Sequence, residues 1–522
     1  MPGGDRRCRQ SAGLPRAARR GHADRNAAWP PPVRGGCGVI AIDDISALSS
    51  HYDLVVVGAG PAGLSAAARA ADLGLSVLLA DENPAPGGQI YRAVTTTPVV
   101  QRDILGEDYW LGAGIAARFE RSVASYAARC TVWALGPDET SPGAFELGLS
   151  LGSKARMIST AQVILATGAQ ERPFPIPGWT LPGVMTAGAA QIALKSAGIV
   201  PAGRTAIAGC GPLLYLLAGQ LAAAGTEIVA VLDTTPRANW AKALAALPDF
   251  LRSPYLAKGL KLMAKARRSL RFVSGVTGLA AQGDRQLSGV RVVRGSTAET
   301  LACDTLLLHQ GVIPSVNLAS AAGCALDFDE TQHAFVPRVD AWFASSVGGI
   351  AIAGDGAGIG GAESAALRGE IAAFDAARKL GRLSEAERDR QAAPFQAELT
   401  RRLRGRRFLD LLYKPAAQFL APPADETIVC RCEEVTAGQV RDAASRLGVT
   451  GPNQMKAFLR CGMGPCQGRL CGPTVVELIA QTRGTTPAET GYYRLRPPVK
   501  PVTLAELAAL PPTDEATKAV VR

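Results

Sequence analysis

Residues 52–82 constrain the fold most. The apolar run YDLVVV at 52–57 suits a buried parallel strand. Gly58-Ala59-Gly60-Pro61-Ala62-Gly63 follows at once, residues 64–73 have helical character, and a second apolar run at 76–80 ends on Asp81-Glu82. This is a strand–helix–strand unit with G-x-G-x-x-G at its turn and an acid 23 residues after the first glycine. Each glycine has a physical reason. Gly58 makes the tight turn, Gly60 lets a pyrophosphate approach the backbone, and Gly63 allows the helix to lie close on the strand. The helix start then receives phosphates, and Asp81, with Glu82 beside it, accepts from ribose hydroxyls. A dinucleotide-binding α/β fold is expected, against the alternative of a glycine-rich turn with no ligand.

Three further elements extend this reading. Pro86-Gly87-Gly88-Gln89 is a second glycine-rich turn where more of the same ligand can lie. Short strands within 131–158 precede an apolar strand at 162–166 that runs into Thr167-Gly168, an ending that returns the chain beside the nucleotide in flavoproteins with two dinucleotide domains. A later strand at 350–353 ends in Gly354-Asp355, which puts a carboxylate at a helix start, where it can bond a ribityl hydroxyl of FAD or simply cap the helix. A second strand–helix–strand unit begins at Thr205, with Gly209, Gly211 and the acid Asp233, but Leu214 stands where the third glycine belongs. That side chain should push the helix off the strand, which argues against NAD(P) in this second domain.

Four of the eleven cysteines form one block: Cys430-Arg431-Cys432, then Cys461-Gly-Met-Gly-Pro-Cys466. Four soft thiolates suit a [2Fe-2S] cluster or a tetrahedral zinc ion. The tight C-x-C pair favours iron–sulfur, since zinc knuckles space their cysteines by two to four residues. Cys471, a further five residues on, is a spare ligand. No catalytic acid or base stands out. His309, just past an apolar strand, is expected to be a satisfied loop histidine.

Length, charge and the other cysteines exclude several classes. A chain of 522 residues with 47% hydrophobic composition builds two or three domains. The net charge of +11 is concentrated in the first 50 residues and in RRLRGRR at 401–407. Neither run carries aromatic platforms or a base-reading motif, so nucleic acid is not an expected partner. The basic stretch at 256–271 is expected to be a solvated helical face. No uninterrupted apolar run is long enough to span a membrane, and no secretory signal precedes the scattered cysteines. A cytoplasmic setting is expected, with peripheral attachment to the inner membrane face left open. Residues 1–50 are expected to be a disordered extension or an upstream start outside the native protein.

With these motifs in place, residues 52–381 resemble flavoproteins of the glutathione-reductase-like fold, and the block IVCRCEEVTAGQV…FLRCGMGPCQGRLC resembles the [2Fe-2S] domain related to bacterioferritin-associated ferredoxin. Together with ADENPAPGGQIYR and GCGPLL, the pattern resembles the larger subunits of opine oxidases, hydrogen cyanide synthase and dye-linked proline or hydroxyproline dehydrogenases, and more distantly heterotetrameric sarcosine oxidase. The resemblance implies an electron-relaying subunit of a heteromeric FAD-dependent amine or imino-acid dehydrogenase. Its partner would be an amino-acid-oxidase-like flavoprotein. An FMN at the interface with that partner, and a small ferredoxin-like subunit, are open additions. The resemblance also implies that Gly58, Gly60, Gly63, Asp81 and Asp355 hold FAD or another nucleotide, and that the four cysteines hold the cluster. Two rivals stay open: a stand-alone NAD(P)H-dependent reductase and a nucleotide-binding scaffold without catalysis. The expected domain plan is an extension at 1–50, an FAD domain split as 51–200 and 300–381, and a second dinucleotide domain at 201–299. A helical linker at 382–425, a [2Fe-2S] domain at 426–482 and an extended tail at 483–522 complete it.

Overall fold

Leu54, Val55 and Val56 are wholly buried in strand His51–Val57 because both faces of the sheet it centres are covered, the Leu54 and Val56 face by helices and the Val55 face by a cluster that includes Val132, Leu135, Phe145 and Leu147. The computed structural model describes residues 38–511. His51–Val57 pairs in parallel with Val77–Asp81 on one side and with Lys154–Leu165 on the other. Ile350–Ile352 adds in parallel to that last strand, while Phe145–Leu151 and Thr131–Pro137 continue the sheet antiparallel. Helix Pro61–Asp72 and helix Ala362–Lys379 cross on this sheet at small residues. A Cβ on Gly369 would come within 2.1 Å of the Ala62 carbonyl oxygen.

A second, all-parallel sheet runs in the order Phe272–Ser274, Ile228–Asp233, Thr205–Gly209, Thr305–His309, Val184–Thr186. The expected boundaries at 200/201 and 299/300 therefore both move. Val184–Thr186 and Thr305–His309 belong to the second sheet, Val312–Pro314 pairs apart with Ala169–Glu171, and the chain rejoins the first sheet at Ile350–Ile352. Nothing in the apolar run at 305–308 marks which sheet it joins. The basic stretch lies in helix Tyr255–Ser269, where Lys258, Lys261, Arg267 and Arg268 are exposed.

Three more expectations change. The N-terminal extension does not reach residue 50: Ile40–Ala41 pairs with Ser125–Ala128 at the sheet edge, and Ile42, Ile45 and Leu48 enter the core, burying apolar surface that a free segment would leave in water. The part of that expectation covering residues 1–37 lies outside the described residues. The stretch at 382–425 is more than a linker. Helix Glu385–Leu403 lies along helix Ala362–Lys379, and helix Arg406–Leu412 packs Phe408 and Leu412 against Ala243 and Ala246 of the second domain. The tail contains helices Pro487–Thr490 and Leu504–Ala508. It is pinned to the first domain, where the Val499 N–H donates to the Trp133 carbonyl.

The C-terminal unit is a short hairpin, Ile428–Cys430 with Val435–Thr436, followed by helices Ala437–Ser445, Pro452–Leu459 and Gly472–Arg483. Thr436 and Gln439 form a capping box at the first of these helices. Val440, Met455, Val475, Leu478 and Tyr493 share one buried cluster with Cys430, Cys461 and Cys471.

Candidate functional site

The first glycine turn is built to the tolerance of a missing methyl group. A Cβ on Gly63 would lie 1.8 Å from the Gly58 carbonyl oxygen, and one on Gly58 would lie 2.5 Å from that of Ala166. The second turn stacks on the first, for a Cβ on Gly88 would lie 2.7 Å from the Gly60 Cα. Gly354 abuts Ala62, and Gly356 abuts Thr167 and Gly168. The expected nucleotide residues therefore converge on one cleft of about 730 Å³, whose walls include Gly58, Gly60, Asp81, Glu82, Gly88, Gln89, Thr167, Gly168, Gly354 and Asp355. Gly63 lies behind the turn, as a packing glycine should.

The carboxylates are held by the backbone. Asp81 Oδ2 accepts from the Ala59 N–H at 2.5 Å, and Oδ1 accepts from the Asn83 N–H and side-chain amide at 2.7 Å each. Burial raises the Asp81 pKa, with these bonds opposing it. Glu82 is exposed and pairs with Lys500 at 2.6 Å. Asp355 Oδ1 accepts from the N–H groups of Gly360 and Gly361 at 2.8 and 3.0 Å, so it caps its loop while still facing the cleft. Arg368 braces that loop from behind through the carbonyls of Gly354 and Gly358.

Residues without an obvious sequence signal line the cleft or stand behind its wall. Lys195 is almost fully buried and donates to the Ile90 carbonyl at 2.8 Å and to Gln191 Oε1 at 3.1 Å, fixing the end of the Gly88–Gln89 turn. Burial pushes its pKa down to about 7. Arg92 is buried within electrostatic reach of Asp81 and Glu82, and its Nε has no partner. His309 is satisfied as expected, but it ends strand Thr305–His309 instead of standing in a loop. It lines the cleft, and its Nδ1 lies 2.9 Å from Glu171 Oε2, whose other oxygen accepts from the Gly188 N–H at 2.7 Å. In the second domain Leu214 is fully buried, in a cluster that includes Ala187, Leu194 and Ile207.

The thiols form a chain of contacts. Cys430 meets Cys461 and Cys471, and Cys466 meets Cys471 and Cys432. Backbone amides of Glu433 and Gly462 approach Cys430, and those of Leu470 and Gly468 approach Cys466. Hydrogen bonds from Cys471, first among several causes, push Cys466 down to about 5. The loop fits tightly: a Cβ on Gly464 would lie 2.3 Å from that of Cys432, and one on Gly462 would lie 2.6 Å from the Tyr493 ring. Cys430, Cys461 and Cys471 are buried, whereas Cys432 is exposed. Among the described residues, no three or more His, Cys, Asp or Glu side chains are grouped so as to hold a metal ion. Paired thiols ringed by amide donors fit a binuclear cluster. Cys471, the spare, lies between Cys430 and Cys466 in this chain of contacts.

Cleft and thiols are joined directly. Gln170, on the cleft wall, donates to the Arg469 carbonyl at 2.6 Å, and Arg469 Nε donates to the Cys466 carbonyl at 3.1 Å. Asn317, also on the wall, donates to the Gln467 carbonyl at 2.9 Å. Among the described residues, no helix is long and apolar enough to cross a membrane.

Comparison with known proteins agrees with this anatomy. Residues 52–381 match the pyridine nucleotide-disulphide oxidoreductase family, and residues 428–481 match the BFD-like [2Fe-2S] binding domain. An opine oxidase subunit from Agrobacterium tumefaciens is 51% identical over 91% of this chain and 94% of its own. Hydrogen cyanide synthase subunit HcnB of Pseudomonas protegens is 32% identical over 88% of this chain and 98% of its own. Among solved structures, L-proline dehydrogenase from P. horikoshii shares the fold with a TM-score of 0.63 at 17% identity, over 90% of this chain and 80% of that one.

Proposed function

Because the chain belongs to the pyridine nucleotide-disulphide oxidoreductase family, carries a BFD-like [2Fe-2S] binding domain and is 51% identical to an opine oxidase subunit, we propose that it is the electron-relaying subunit of a heteromeric dehydrogenase. The whole enzyme acts on the C–N bond of an amine, opine or imino acid of the proline or hydroxyproline kind. An amino-acid-oxidase-like flavoprotein partner removes a hydride from the carbon next to nitrogen, and the resulting imine is hydrolysed by water. The relatives' names support this reading, since the opine oxidase chain and HcnB are both named as subunits.

The observation that carries the proposal is the junction of the nucleotide cleft with the five-thiol loop through Gln170 and Arg469. When bound, a flavin takes up electron pairs and a [2Fe-2S] centre passes electrons singly. The chain's own residues position both. The turns at Gly58–Gly60 and Gly88 would admit a pyrophosphate to the backbone, Asp81 and Asp355 on the cleft wall would accept from sugar hydroxyls, and Lys195 stiffens the second turn. Cys430, Cys432 and Cys466, with Cys461 or Cys471, hold the cluster. FAD is the nucleotide we assign to the first domain, and an FMN at the interface with the partner is the finer form of the same proposal.

The test is to purify the chain alone and together with an amino-acid-oxidase-like partner. With an artificial electron acceptor, the pair should oxidise an opine or a proline derivative, while the chain alone should oxidise neither. Turnover by the isolated chain would overturn the proposal.

A further inference from the structure

The two dinucleotide folds differ in how far the cleft reaches into them. In the first it runs from the glycine turn to Asp81, Glu82 and Asn83 at the end of the second strand. In the second its wall takes in Cys210, Gly211, Pro212 and Leu213 at the glycine turn but not the matching acid, Asp233. A nicotinamide dinucleotide needs both ends, for its pyrophosphate sits at the helix start and its adenosine ribose bonds that acid.

The missing space is filled by the chain itself. Residues 406–415 pack on the second fold and contribute Tyr413, Lys414 and Pro415 to the cleft wall beside the turn. Cys210 Sγ lies 3.3 Å from the Tyr413 carbonyl oxygen. Asn239 Nδ2 donates to the carbonyls of Leu412 at 3.0 Å and Lys414 at 2.8 Å, clamping the segment on either side of Tyr413. Phe408 and Leu412 anchor it in an apolar cluster with Ala243 and Ala246. The Tyr413 side chain lies within electrostatic reach of Asp233 and Tyr215. Asp233 is already engaged: its Oδ2 accepts from the Tyr215 hydroxyl at 3.1 Å and its Oδ1 from the Thr235 N–H at 2.9 Å.

We propose that residues 406–415 are a built-in strap that occupies the adenosine end of the second dinucleotide fold, with Tyr413 as the specificity-determining residue that bars NADH and NADPH. The bar stands independently of the function proposed above. Combined with that function, it makes electron entry one-sided: the chain is reduced through its partner and not by nicotinamide dinucleotides.

The experiment measures NADH and NADPH binding to the full chain by nicotinamide fluorescence, together with hydrogen exchange of the strap. The unmodified chain should show no saturable binding, and the exchange of residues 406–415 should be unchanged by either dinucleotide. Tyr413→Ala combined with Asn239→Ala should open the fold and bring at least about tenfold tighter binding, a change of about 1.4 kcal/mol. Saturable binding by the unmodified chain, or faster strap exchange when NADH is added, would overturn the proposal even if the double variant does not fold. So would a folded double variant that gains nothing, with or without Leu214→Gly. None of these readouts uses amine oxidation, so their failure is separable from failure of the proposed function.

Discussion

The side-chain amide of Gln170 donates a 2.6 Å hydrogen bond to the main-chain carbonyl of Arg469, two residues before Cys471. Gln170 stands on the cleft wall, so this one bond ties the nucleotide domain to the thiol loop. The Asn317 side chain adds a second tie, donating to the Gln467 carbonyl at 2.9 Å.

Gln170→Ala should loosen that junction without touching a thiol. A neutral hydrogen bond contributes about 1 kcal/mol, so dye-linked turnover of the assembled enzyme is expected to fall by about fivefold. Iron content should stay that of the parent protein. Loss of iron together with turnover would instead mean that Gln170 holds the loop's fold.

A serine series separates the five thiols. Cys430 and Cys466 each meet two other thiols, so Cys430→Ser and Cys466→Ser should abolish the visible iron–sulfur bands. Cys432→Ser should do the same. Of Cys461→Ser and Cys471→Ser, one should keep the bands, because a [2Fe-2S] centre takes four ligands. Bands surviving in both of those variants, or in Cys430→Ser, would contradict the arrangement.

Gly63→Ala would place a Cβ 1.8 Å from the Gly58 carbonyl oxygen, which no small shift relieves. A destabilisation of about 1–3 kcal/mol is expected, with loss of bound nucleotide. Thermal unfolding and the nucleotide released on denaturation check both. Gly74→Ala is the control, because a Cβ there meets nothing within 4 Å, although its φ of +79° carries a backbone cost of its own.

Lys195 gives a pH dependence of defined sign. Burial holds its pKa at about 7, below the ordinary 10.5. Between those values the unfolded chain binds a proton that the folded chain does not, so stability contributed by this group rises with pH across the window. It is lost as pH falls from 10.5 towards 7, by at most about 1.4 kcal/mol per pH unit. Below 7 both states are protonated and the dependence ends. Lys195→Met should flatten the change in unfolding midpoint between about pH 7 and 10, and an unchanged slope would refute the assignment.

The reach of the sequence follows from where each signal lies along the chain. Gly58, Gly60, Gly63 and Asp81 report a local strand–turn–helix whose spacing is set by backbone geometry, and the structure brings the first two and Asp81 to one cleft with Gly63 packed behind. The cysteine block was legible for the same reason, apart from the standing of Cys471. Contacts between distant residues were not. Glu171 and His309 meet across 138 positions, and neither carries a motif. Strand Thr305–His309 looked like any buried strand, and only its pairing with Thr205–Gly209 assigns it to the second sheet. Tyr413 sat in a charged helical stretch that resembled a linker, while its role depends on the second domain folding beneath it.

The most direct test follows the electrons themselves. The chain and its flavoprotein partner, prepared without oxygen, are mixed with an opine or a proline derivative, and the frozen sample is examined by electron paramagnetic resonance beside iron and sulfide analysis. Iron and sulfide are expected in equal amounts, with a reduced-cluster signal that appears only when substrate and partner are both present. Zinc in place of iron, or a cluster that stays oxidised while substrate is consumed, would contradict the relay.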